Sequence, residues 1–89
     1  MDYLIFVSGQ EPVNHYLRVL WLDANGKWGE AHDLADSGSD ADSAWLHAYL
    51  HRAEGDEWNA KYWYNRAGRP FPDCSLRDEW QILYEYFAD

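Results

Sequence analysis

Cysteine is nearly missing from this sequence. Cys74 is the only one in 89 residues, so no internal disulfide can form and a reducing compartment is the expected setting. Basic residues are scarce: 7 Lys and Arg stand against 16 Asp and Glu, a formal net charge of −9. That balance repels phosphate backbones and argues against direct nucleic-acid binding, although an acidic surface can imitate nucleic acid. Long apolar runs are absent as well. The longest, YLIFV at residues 3–7, is too short to span a bilayer, and Asp2 stands where a secretory signal carries a basic residue. No membrane association is expected, and the cytoplasm is the expected location. No long linker or low-complexity segment divides the chain, so a single domain over 1–89 is expected.

Aromatic residues are what the sequence has in quantity, with 6 Trp, 7 Tyr and 3 Phe. A chain of this length buries roughly 60–65 % of its unfolded surface, and large aromatic side chains can fill so small a core. Their spacing is helical. Val13, Tyr16, Leu17, Leu20, Trp21 and Ala24 recur at i, i+3, i+4, i+7, i+8 and i+11 after Pro12, and Gly26 ends the run. A second helix is expected over about 28–36. A third begins at a capping box formed by Ser39 and Asp42 and stops at Gly55. Asp56 caps a fourth over about 57–67, and Gly68 ends it before Pro70 and Pro72. Ser75 and Asp78 form another box, opening a final helix over about 76–88 with Leu76, Trp80, Leu83, Tyr84 and Phe87 on one stripe. The expected fold is all-α, with antiparallel hairpins at about 12–36 and 40–67 and a C-terminal capping helix. Residues 1–11 read as extended or irregular, since the β-branched and aromatic run ends at Gly9. Lying along the helices, pairing with a second copy, or a short helical turn capped by Asp2 are the alternatives.

Two turns repeat. ANGKWGEAHDLA at 24–35 aligns with AEGDEWNAKYWY at 53–64, and in both an alanine follows the turn glycine by five positions (Gly26 to Ala31, Gly55 to Ala60). The second unit resembles a tetratricopeptide repeat, with Ala48, Gly55, Ala60, Tyr64, Ala67 and Pro72 at the family's small, turn, aromatic and terminal positions. The first unit keeps Gly26, Trp28 and Ala31 but has Ala35 and Gly38 where an aromatic and an alanine belong, and the offset of 29 residues (24 to 53) falls short of the usual 34. That resemblance implies a module that binds a protein or peptide in the concave face of each hairpin's first helix, here Tyr16, Leu20 and Asp23 with Trp45, Tyr49 and Arg52. It also implies that the final helix caps the stack. Self-association as a homodimer through residues 3–7 is a further expectation. SAWLHAYLHRAEGDEWNAKYWYNRAGR at 43–69 is similar, in addition, to a family of small uncharacterised proteins sharing His-Ala-x-x-His-Arg, Glu-Gly-Asp, Asn-Ala, Tyr-Trp-Tyr and Arg-Ala-Gly.

The densest chemistry lies in HAYLHRAEGD at 47–56. His47, His51 and Glu54 share one face of a helix whose other faces carry Trp45, Leu46, Tyr49 and Leu50, so the histidines should be buried in a central helix. A buried imidazole needs partners. Asp56, Asn59, Tyr62 and Arg66 are placed to supply them, and a structural polar network is the plainest reading. Two others compete with it. Histidines four apart on a helix can hold Zn²⁺ or another transition metal with Glu54 as third ligand, although the HExxH pattern is absent. Arg52, Arg66 and Arg69 can instead gather as a pocket for a carboxylate or phosphate. An enzyme using a histidine as general base fits the same cluster, but no activated serine or cysteine accompanies it. No cofactor is indicated. His32 reads as a surface or edge residue, Tyr64 as core, and DSGSDADS at 36–43 as a solvated loop ending in a cap.

Overall fold

The computed structural model describes residues 3–88, and the regular elements among them are all α-helices: α1 (Tyr3–Ser8), α2 (His15–Ala24), α3 (Trp28–Asp36), α4 (Ala41–Ala53), α5 (Glu57–Ala67) and α6 (Leu76–Ala88). Helices α2 and α3 pack as one hairpin and α4 and α5 as another, with α3 against α4 joining the two. The matching turns have matching chemistry. Gly26 and Gly55 adopt φ of 78° and 89°, a left-handed conformation that side chains resist. Each turn closes with a pair of bonds, Gly26 N to Asp23 O and Lys27 N to Leu22 O in the first, Gly55 N to Arg52 O and Asp56 N to His51 O in the second. This is the Schellman arrangement that satisfies the last carbonyls of a helix. Ala31 and Ala60, five residues on, are both fully buried, so the second helix of each hairpin approaches the first without an intervening side chain.

Helix α4 is the axis of the molecule. It touches α2, α3, α5 and α6, and every residue from Ser43 to His51 is buried. This is the fate its all-round apolar sequence predicts. Helix α6 packs on α2 and α4, which is the face a concave groove would need. Leu83 is fully buried there, and Trp80 nearly so.

Three boundaries differ from the sequence reading. The first hairpin begins at His15, not Pro12, because the Asn14 side chain accepts from the backbone N–H groups of Tyr16 and Leu17 at 2.9 and 3.1 Å. Asp40, not Ser39, caps α4, accepting from Ser43 N at 3.2 Å and from the Ser43 hydroxyl at 2.6 Å. Residues 3–8 are a helix, where an extended or irregular segment was the main expectation. The reason is the footing on α6: Tyr3 and Phe6, one helical turn apart, both rest edge-on against Trp80 at centroid distances of 4.7 and 5.7 Å. In a strand these two side chains would point to opposite faces. The alternative in which Asp2 caps this turn lies outside the described residues.

Candidate functional site

Where α3 crosses α4, three imidazoles converge. His47 and His51 come from consecutive turns of α4, and His32 comes from α3. Ring centroids lie 4.5 Å apart for His32 and His47, 5.1 Å for His32 and His51, and 5.0 Å for His47 and His51. One ring nitrogen from each lies within 4.8 Å of the other two. Tryptophans wall the cluster. Trp63 of α5 stacks on His47 at 3.8 Å and 12°, and Trp28 stacks on His32 at 4.9 Å and 20°. Trp28 is held in turn by its indole N–H donating to the Leu50 carbonyl at 2.8 Å. His47 and His51 are 3 % and 8 % exposed, while His32 keeps one edge toward solvent.

Each imidazole has a carboxylate near Nδ1. Glu54 lies 2.8 Å from His51 Nδ1, within hydrogen-bond reach, whereas Asp36 and Asp33 lie 3.7 Å from His47 and His32. A carboxylate at Nδ1 favours the proton there and leaves the Nε2 lone pair for another partner. The His47 imidazole is pushed down to about 4 by burial and then by its neighbours His32 and His51, against an opposing pull from Asp36. It is therefore neutral near pH 7 and able to act as a ligand. Three imidazoles form a donor set that zinc accepts. Tetrahedral binding would draw the nitrogens to roughly 3.3 Å from one another, given Zn–N bonds near 2.0–2.1 Å. Beside this, His51, Glu54 and Asp56 form a second group whose ligand atoms also lie within 4.8 Å. Asn59 fixes Asp56 from its side-chain amide at 2.6 Å and its backbone N–H at 3.2 Å, and these bonds hold the Asp56 carboxyl below its usual range.

The structure thus brings together His47, His51, Glu54, Asp56 and Asn59, and disperses the rest of the expected set. Arg52 points away, forming an ion pair with Glu79 at 2.8 Å and donating to the Cys74 carbonyl. Tyr62 is exposed and bonded to Arg66 at 3.3 Å, and Arg66 lies over the Trp63 ring at 5.2 Å. Arg69 sits 3.4 Å above the Trp45 ring. The arginines therefore build no common anion pocket, because each has its own acid or aromatic partner. The groove is also corrected: Leu20, Trp45 and Tyr49 are buried and Tyr16 half-buried, and α6 lies on Tyr16 and Trp45. Phe87 stacks on Tyr16 at 4.7 Å, and Glu79 accepts from the Trp45 indole at 3.2 Å. Two participants escaped the sequence reading. His32 keeps the edge position read for it but is also part of the cluster, and Trp28 four positions earlier on the same helix is the available signal. Glu79 had none, since it reads as an ordinary first-turn acid.

No protein-family model, curated protein or solved structure matches the chain. Among the described residues, no helix is long and apolar enough to cross a membrane.

Proposed function

We propose that this protein binds a transition metal ion, Zn²⁺ by its donor chemistry, through His32, His47 and His51. The observation that carries the reading is the convergence of three imidazoles from two helices, each with a carboxylate beside Nδ1. Glu54 would orient His51, Asp36 would face His47, and the Trp28 and Trp63 rings would exclude water from two sides. An ion so held supplies Lewis acidity and a lowered pKa to a bound water. The test is elemental analysis and native mass spectrometry on protein purified without a metal-affinity tag, followed by titration with Co²⁺ as a spectroscopic stand-in. One equivalent with tetrahedral d–d bands, lost in His32→Ala and His47→Gln, is expected. Absence of a stoichiometric site, or equal uptake by both variants, would leave the histidines as packing groups.

A second reading, association with a protein or peptide, including a second copy of this chain, is favoured by the exposure of Leu4 (71 %) and Ile5 (67 %) on α1. The tetratricopeptide-like repeat belongs to this reading, which must use an outer surface where α6 covers Tyr16 and Trp45 of the concave one. The same mass spectrum reports it as a dimer dispersed by Ile5→Lys. A reducing, cytoplasmic setting suits the free Cys74 in either case.

A further inference from the structure

On the face of α4 opposite the histidines lies a cavity of about 770 Å³. Tyr49, two positions from both His47 and His51 and so about half a helical turn around, forms its floor. Volumes of this order suit a small organic ligand. Two of its lining residues carry opposite charges that the fold leaves unused. Asp23, on the last turn of α2, is half-buried, and burial raises its carboxyl with no cation offsetting the effect. Arg77, on the first turn of α6, is exposed, and among the described residues its guanidinium has no ion-pair or hydrogen-bond partner. The two do not pair with each other. Between them the walls are aromatic: Trp80, the Tyr3 ring set edge-on against it at 4.7 Å, and Tyr49. Burial, and then the Asp23 charge, keep the Tyr49 hydroxyl protonated and hence a hydrogen-bond donor. The Trp80 indole N–H, itself buried, finds no acceptor among the described residues.

A half-buried acid without a counter-ion, a free guanidinium and aromatic rings around one cavity define a ligand by complementarity. We propose that this cavity binds a small zwitterion with a primary ammonium, a carboxylate and an apolar body, the chemistry of a free apolar amino acid. The ammonium pairs with Asp23 and lies against the Tyr3 and Trp80 rings, which also favour cations. The carboxylate takes the Arg77 fork. The site shares no residue with the histidine cluster, so its test is independent of any metal.

The experiment is isothermal titration calorimetry on the full chain with L-phenylalanine and 6-aminohexanoate, which differ in the spacing of their charges. Phenethylamine and 3-phenylpropionate, each lacking one charge, serve as comparisons. Saturable 1:1 binding of at least one zwitterion is expected, with each single-charge analogue weaker by about tenfold or more, the loss of one charge-assisted contact. Asp23→Asn should weaken the zwitterion and phenethylamine but not 3-phenylpropionate, and Arg77→Gln should weaken the zwitterion and 3-phenylpropionate but not phenethylamine. Glu57→Gln, an exposed change outside the cavity, should alter none of them. Circular dichroism melts of Asp23→Asn and Arg77→Gln separate lost binding from lost folding. No saturable zwitterion binding by the wild-type chain, or affinities unchanged in both folded variants, would overturn the proposal.

Discussion

Glu79 shows how much one residue can organise. Its carboxylate accepts from the Tyr64 hydroxyl at 2.6 and 2.7 Å, from the Trp45 indole at 3.2 Å and from Arg52 at 2.8 Å, and it is only 3 % exposed. It thereby links α4, α5 and α6 through one charge. Burial and this carboxylate together raise the Tyr64 hydroxyl well above its ordinary range, so it stays a donor. Removing one partner of a buried ion pair leaves the other charge uncompensated. Glu79→Ala should accordingly lose about 3–5 kcal/mol in urea unfolding, and Glu79→Gln less, since the amide still accepts from Tyr64. A loss below about 1 kcal/mol for the alanine variant would mean that the pair is solvated in solution. His47 makes a different kind of residue-scale prediction. Its folded pKa of about 4 lies below the ordinary 6.5, so above pH 6.5 both states are neutral and the group has no effect on stability. Below that, the unfolded chain takes up a proton that the native state refuses. Stability therefore falls as pH drops from 6.5 toward 4, by at most about 3 kcal/mol. Urea midpoints at about pH 7 and about pH 4.5 should differ less for His47→Gln than for the wild type.

Between elements, the turn from α3 to α4 is the tightest join. A Cβ added at Gly38 would meet Ser43 Oγ at 2.2 Å and Ser43 Cβ at 2.9 Å, and Ser43 is fully buried and bonded to the capping Asp40. Gly38→Ala should therefore displace the cap and lower stability by about 1–3 kcal/mol, the usual range for overpacking. A thermal melt matching the wild type would show that the turn can move aside. The same turn marks the limit of what sequence reveals about elements. Helix ends that depend on a local rule were legible: Gly26, Gly55 and Gly68 stop helices, and Asp56 and Ser75 start them. Asn14 and Asp40 do not stand out in sequence because Pro12 and Ser39 offer equally good local signals, and only the tertiary position of each helix selects between them. The identity of α1 was hidden for a stronger reason. A run of Tyr, Leu, Ile, Phe and Val has strand propensity, and its helical form depends on the Trp80 ring of α6, more than seventy residues away. His47 and His51 were legible as a buried pair from one helix, whereas His32 required knowing that α3 crosses that helix at their level.

At the scale of the whole molecule, the three histidines straddle the junction between its two hairpins. His32 belongs to the first, and His47 and His51 belong to the second. An ion on all three would therefore cross-link the halves and not merely stiffen one helix, and its binding energy would appear as global stability. The net charge of −9 favours the approach of any cation, so attraction to the acidic surface must be separated from coordination. The two respond differently to salt and to ligand chemistry. Diffuse attraction is screened at moderate ionic strength and is nearly blind to the kind of divalent ion, whereas imidazole selects Zn²⁺ over Mg²⁺. At a hundredfold excess over the dissociation constant, a native-state ligand adds about 2.7 kcal/mol. For a chain of this size that raises the melting temperature by roughly 10–20 °C. Zn²⁺ in moderate salt should produce that rise, chelator should reverse it, and Mg²⁺ should not reproduce it. His32→Ala is the decisive variant, since His32 is the partly exposed member and its truncation removes the only imidazole of the first hairpin in the cluster while sparing the core. If His32→Ala still gains the full rise, the ion is held within the second hairpin, by His51, Glu54 and Asp56, and the cross-link between hairpins does not form.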